Sequence, residues 1–254
     1  MTPLRTVDCR IEQRVLVNVQ VDPEVAARLL PAPFRPRLVR GVAVAGICLL
    51  WLEAIRPAGL PAWTGLRSAN AAHRIAVEWD DGPAPGHGVF IPRYRHTDSA
   101  TTALTGGRLF PGVHERASIN RTIAPDRVDA HLCSVTGDNA VMLAGPVVDR
   151  MPPGSVFADV DAATAFFARD STGWSPGRRP DTLEGVELLA ERFTLAPLGV
   201  EAMRSTYFTD PERFPPGSVQ FDSALLMRRT PARWRALTPW RALTPWNVRA
   251  RVAA

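Results

Sequence analysis

Strand-like segments succeed one another along this sequence with little helix between them. Val15-Leu-Val-Asn-Val-Gln-Val alternates apolar and polar residues, the period of a strand buried on one face. Gly41 to Ile55 is a β-branched and leucine-rich run with the character of a central strand. His73 to Trp79 and Gly88 to His96 flank the turn-forming Asp80-Asp-Gly-Pro-Ala-Pro-Gly and read as a hairpin. His114 to Asn120, Arg127 to Val135, Ala140 to Val148, Leu188 to Thr194, Gly199 to Phe208 and Ser218 to Met227 read as further strands, and Gly173 to Pro180 as a loop.

Three helices interrupt them. Asp22-Pro-Glu supplies a cap, a first-turn proline and an acid for residues 22–30. Thr97-Asp98-Ser99 caps a helix over 98–105 that Gly106-Gly107 ends, and 160–169 carries Ala163, Phe166 and Phe167 on one apolar face. A βαβ array needs a helix at each crossover, so this order predicts an α+β chain whose sheets are mainly antiparallel.

The sequence contains no lysine: all 30 positive side chains among its 254 residues are arginines. Every mechanism that needs a side-chain amine is therefore excluded. No apolar run reaches the roughly 18 to 20 residues of a membrane span, since the longest, Gly41 to Leu52, stops at Glu53. Met1 to Cys9 has neither the basic stretch nor the apolar core of a signal peptide, so a cytoplasmic protein without a membrane partner is expected.

The three cysteines, Cys9, Cys48 and Cys133, are far apart and read as reduced thiols. A net charge of +5 is spread among 25 acidic residues with no recognition-helix or finger pattern, so no nucleic-acid partner is expected. Residues 1–235 read as one domain and 236–254 as a basic tail. That tail carries the duplicated Arg-Ala-Leu-Thr-Pro-Trp unit that ends first at Trp240 and again at Trp246.

Polar chemistry concentrates in Arg93-Tyr94-Arg95-His96 and in His114-Glu115-Arg116. Strand alternation puts Tyr94 and His96 on one face with Arg93 and Arg95 on the other, and His114 with Arg116 opposite Glu115. A face that gathered His96, His114, Tyr94 and Arg116 would polarise a carbonyl or hold an anion, with a histidine titrating near neutrality. The competing reading pairs Glu115 with an arginine and leaves the histidines as strand-end hydrogen-bonding residues. His73, His87 and His131 are scattered, no ligand spacing suggests a metal, and no glycine-rich loop suggests a nucleotide cofactor.

The stretch from Gly88-Val-Phe-Ile through Asp98-Ser-Ala-Thr-Thr-Ala-Leu-Thr-Gly-Gly-Arg-Leu-Phe to His114-Glu-Arg-Ala-Ser resembles the acetoacetate decarboxylase-like superfamily. Val21-Asp-Pro-Glu to Leu29-Leu-Pro-Ala-Pro-Phe and Phe214-Pro-Pro-Gly to Met227 resemble its uncharacterised YqjF-like branch. The resemblance implies sheets curled into a cone or barrel around a central cavity. It also implies that a lysine pair, the first forming a Schiff base with a β-keto acid, would fall on His114 and Glu115, aligned through Leu109-Phe110. Neither residue forms an imine. The family's acidic residue would fall near Ser68 to Asn70 and is missing too.

The expectation is a protein that binds a small carboxylate or carbonyl compound in the cavity without a cofactor and without Schiff-base chemistry. Its candidate ligand-binding residues are Arg116, Tyr94, Arg93 and Glu115, with Arg95 as a further cation. The alternative is an enzyme of lyase, isomerase or hydrolase type with His114 and His96 as catalytic groups and arginines holding the substrate anion. A homo-oligomer is left open.

Overall fold

The computed structural model describes residues 6–80, 84–92, 95–105, 111–177, 179 and 181–241. Strand β1 (Thr6–Val21) leads into α1 (Pro23–Arg28), whose first turn is capped by the Asp22 carboxylate accepting from the N–H groups of Glu24 and Val25. The short β2 (Arg35–Pro36) and β3 (Leu38–Val39) precede β4 (Val42–Pro57), which returns as β5 (Leu66–Trp79). β6 (Gly86–Phe90) forms the expected hairpin with β5. The strand read over 88–96 is broken at Ile91-Pro92, because proline offers no N–H to a ladder, and resumes as β7 (Arg95–Thr97).

Helix α2 (Ala100–Thr105) separates β7 from β8 (His114–Ile123), β9 (Arg127–Ser134) and β10 (Ala140–Pro146). After α3 (Val160–Arg169) come β11 (Thr172–Pro176), β12 (Thr182–Ala190), β13 (Ala196–Leu198), β14 (Ala202–Ser205), β15 (Val219–Ala236) and β16 (Trp240–Arg241). The three expected helices are present. β11 lies where a loop was expected, because its partners, β6 in parallel and β12 in antiparallel, lie outside the local Gly and Pro pattern.

Seven strands close into a barrel in the order β5-β6-β11-β12-β15-β1-β4, with β4 pairing back to β5. All these pairs but β6–β11 are antiparallel. β7 hangs on β5, and from it β8, β9, β10 and β14 continue as an outer sheet. Closure divides each strand into inward and outward residues. On β1 the inward set is Val7, Cys9 and Ile11, then a register shift between Ile11 and Gln13 moves it to Arg14 and Leu16, leaving Val15 and Val17 outside.

Ile47 and Leu49 join Val15 and Val17 against Ala117, Ile119, Leu132 and Leu143 of the outer sheet. Inside, Leu16, Leu188 and Leu225 meet α3 through Ala163, Phe166 and Phe167, so the helix plugs the barrel on that side. Each phenylalanine contributes about 1.5–3 kcal/mol of hydrophobic stabilisation.

The boundary expected after 235 is not where packing ends. β15 runs to Ala236, the Leu237 N–H donates to the Gly185 carbonyl, and β16 pairs with β12. Trp240 is 9% exposed and sits 5.4 Å from Phe34 and 5.5 Å from Trp174, ring centre to ring centre. The first copy of the repeated unit is therefore core. The second copy, from residue 242 on, lies outside the described residues. Removing such a packed indole leaves a cavity, so Trp240→Ala is expected to lower the unfolding free energy by about 3 kcal/mol in chemical denaturation. An effect below roughly 0.5 kcal/mol, the size usual at surface sites, would contradict this packing.

Candidate functional site

The barrel encloses a cavity of about 310 Å³. Leu50, Leu52, Val89, Ile91, Val186 and Leu188 give it apolar walls, and Arg14, Arg56, Arg74 and Arg95 line it along with His114, Cys48 and Asp170. Four arginines thus share the lining with a single acidic residue among the described lining residues.

Parallel pairing of β7 with β8 sets Arg95 opposite His114, His96 opposite Glu115 and Thr97 opposite Arg116. Residues paired this way share a face, so Arg95 and His114 line the cavity while His96 and Glu115 point away from it. This corrects the expectation that His96 joins His114. The alternation of Arg95 with His96 and of His114 with Glu115 was right, but a pairing of one-residue offset decides which halves meet. Arg116 shares the parity of His114 yet is exposed, beyond the cavity's edge, so the guanidinium expected from it comes from Arg95. Arg93, Tyr94, Leu109 and Phe110 lie outside the described residues.

On the outward side His96 is buried and Glu115 is half-buried beside it. His96 is 2% exposed, its Nδ1 lies 3.3 Å from Glu115 Oε2, and its ring meets His73 edge-on. His73 stacks on Tyr207 with ring centres 4.1 Å apart, and the other Glu115 oxygen accepts from the Thr136 hydroxyl at 2.8 Å.

His114 Nδ1 lies 3.1 Å from the Gly112 carbonyl, to which it donates. Burial, reinforced by the charge of Arg95, pushes its pKa down to about 4, so the ring is neutral at pH 7 and does not titrate near neutrality as expected. Arg95 donates to the Ser175 hydroxyl at 3.3 Å, while its Nε meets no acceptor. Burial lowers it to about 10, and it stays charged. Gly112, at φ +97, lets the chain pass beside it: a Cβ there would stand 2.5 Å from Arg95 Nε.

The sequence reading missed the second cationic group. Arg74 on β5 is 3% exposed and donates through Nη2 to Asn18 Oδ1 at 2.5 Å, leaving Nε and Nη1 without acceptors. It lies over the Phe167 ring at 4.8 Å. Arg14 donates through Nε to Cys48 Sγ at 3.3 Å and has a buried, unpartnered Nη1. Asp170 follows α3, accepts from Arg37 and from His87 Nδ1, and is raised above the usual carboxylate range by burial. The available signal was a charge inside an otherwise apolar strand, as in His73-Arg-Ile-Ala-Val, but it acquires a direction only once the strand's inward face is known. No three His, Cys, Asp or Glu side chains converge at metal-binding distance among the described residues.

The unfolded chain takes up the His114 proton near pH 6.5 and the folded one near pH 4, so its contribution to stability is complete above about 6.5 and falls away between 6.5 and 4. On acidification from pH 7 to 4, wild type is expected to lose up to about 3 kcal/mol more unfolding free energy than His114→Gln. Parallel pH profiles for the two proteins would contradict the depressed value.

The sequence matches no family model and no curated protein. Solved structures of similar fold include the enduracididine biosynthesis enzyme MppR complexed with pyruvate, at 18% identity and TM-score 0.58, covering 97% of this chain and 93% of that one. An acetoacetate decarboxylase-like enzyme from Sphingomonas wittichii RW1 aligns at 14% identity and TM-score 0.56, over 96% of this chain and 95% of its own. Acetoacetate decarboxylase from Legionella pneumophila aligns at 8% identity and TM-score 0.56, over 94% and 88%. At these identities the likeness is one of architecture, and the chain has the acetoacetate decarboxylase-like fold.

Proposed function

We propose that this chain binds a small carboxylate, or an acid that also carries a carbonyl, in the barrel cavity without Schiff-base chemistry. One observation carries the reading. Arg14, Arg74 and Arg95 line a cavity walled largely by aliphatic side chains, and each carries a buried N–H with no acceptor. A buried donor without a partner costs about 1–3 kcal/mol, and an anion that met these groups would recover that cost. Arginine suits the task, since its fork of donors matches the two oxygens of a carboxylate.

The fold's similarity to MppR, solved with pyruvate, is consistent with an acid of this size. On the residue resemblances given above we place the chain nearest the YqjF-like branch of its superfamily. Ser68 and Asn70 line the cavity where the resemblance implies an acid, so uncharged groups stand where the decarboxylases carry a carboxylate.

Calorimetry with pyruvate and its uncharged isostere pyruvamide tests the reading. Pyruvate is expected to bind and pyruvamide not, and Arg74→Met is expected to weaken binding by about 1.5–3 kcal/mol, the range of a charge-assisted hydrogen bond. Arg116→Ala and Glu115→Ala should leave affinity unchanged. Equal binding of the two compounds would overturn the assignment.

The neutral His114 ring beside Arg95 favours a second reading, an enzyme in which the imidazole moves a proton of a substrate whose carboxylate Arg95 holds. Such an enzyme would speed deuterium exchange at the methyl carbon of pyruvate, and His114→Gln would abolish the acceleration. Exchange at the solvent rate would leave the binding function alone.

A further inference from the structure

The three cysteines occupy three different environments. Cys9 is buried among apolar residues, where its thiol is pushed up to about 12 by burial, and Cys133 is exposed on the outer sheet. Cys48 alone of the three lines the cavity. Its place follows from the barrel: residues 48, 50 and 52 of β4 face inward, while Ile47, Leu49 and Trp51 pack outside.

Two guanidiniums stand beside the sulfur. Arg14 Nε donates to Sγ at 3.3 Å, and the β4–β5 register, Cys48 opposite Ala72 and Gly46 opposite Arg74, places Arg74 one diagonal step away on the same inward face. Arg74 is more than nine-tenths buried, and its Nε and Nη1 are unpartnered while Nη2 is held by Asn18, which leaves a cation with unused donors next to a nucleophilic atom. Arg74 is lowered to about 10, by burial against a weaker opposing influence of Cys48, and remains a cation at neutral pH.

We propose that Cys48 is the nucleophile of this cavity and forms a reversible hemithioketal with a 2-oxo acid whose carboxylate is held by Arg74 and Arg14. The proposal rests on the carboxylate-binding reading above and adds a covalent step to it. The sulfur gives up its proton and its lone pair forms an S–C bond to the carbonyl carbon. The C=O π pair moves onto the carbonyl oxygen, which takes up a proton. Nothing is oxidised, no group leaves, and the carboxylate is unchanged, so no co-reactant is needed. In a chain without lysine, this thiol replaces the amine as the group that captures a carbonyl carbon.

Two measurements test the step on the full chain carrying Cys133→Ser. In the first, the protein is alkylated briefly with iodoacetate or iodoacetamide, which differ in charge, and the labelled cysteines are mapped by mass spectrometry. Relative to a free peptide thiol, Cys48 is expected to favour iodoacetate about tenfold, because bound carboxylate raises the local concentration of the electrophile. Arg74→Met should remove that preference, and Arg14→Gln is the second variant should Arg74→Met fail to fold. In the second, [2-13C]pyruvate is expected to give a tetrahedral C2 resonance distinct from that of free pyruvate hydrate with Cys48 present, and only the hydrate resonance with Cys48→Ala.

A peptide-like alkylation ratio, or no tetrahedral resonance besides that of pyruvate hydrate, overturns the proposal. Should pyruvate then bind the parent and Cys48→Ala equally, the covalent step falls and carboxylate binding stands. Should pyruvate bind neither, both fall.

Discussion

Pairing of β4 with β5 turns a curled sheet into a closed ring, and everything in the cavity depends on that closure. A closed barrel has no free edge and a fixed interior, so alternate side chains of each strand are committed to one of two environments. Where the ligand groups required a different phase, the chain changes it with bulges. The register shift after Ile11 brings Arg14 inside, and the shift between Leu52 and Ile55, where Ala54 adopts φ +51, keeps Ile55 and Pro57 on the wall. The plug formed by Phe166 and Phe167 keeps the interior apolar beneath Arg74.

Inside that ring the electrostatics are unbalanced. Burial pulls Arg74 and Arg95 down to about 10, and Asp170, engaged with Arg37 and His87, is the one acidic side chain among the described lining residues. Leaving guanidiniums charged with N–H groups unpaired opposes folding. The barrel tolerates this because three apolar clusters surround the cavity: one inside with α3, one under the outer sheet and one around Trp79, Trp174 and Trp240. Stability at the periphery thus supports strain at the centre, the arrangement expected when buried groups are held for a ligand.

Much of the architecture was legible because its signals are local. The cap at Asp22 and the phenylalanine pair of α3 depend on residues a few positions apart, whereas the period of two in Val15 to Val21 marked a strand buried on one face and barrel and outer sheet together bury both faces of Val15 to Val19. β11 was not legible, since a Gly-Trp-Ser-Pro segment becomes a strand through its ladders with β12 and with β6, the latter more than 80 residues earlier. The same limit explains the site. Alternation correctly separated Arg95 from His96 and His114 from Glu115. Which of the four share a cavity follows from a three-residue parallel ladder across the α2 crossover, and no local pattern encodes its register. Trp240 was read as tail because repetition resembles spare sequence, yet the barrel used the first copy to complete an aromatic cluster.

The position where the family resemblance implies a Schiff-base lysine holds His114, and the surroundings explain what that exchange does. Burial and an adjacent arginine disfavour a proton on any basic side chain placed there. On a lysine these influences free an amine lone pair for attack on a carbonyl. On His114 they instead hold the imidazole neutral at about 4, with Nδ1 donating to Gly112. The same field therefore serves a different group, which cannot form an imine but can accept or relay a proton. With the amine gone, carbonyl capture requires another nucleophile on the wall, and the inward face of β4 supplies Cys48 between Arg14 and Arg74.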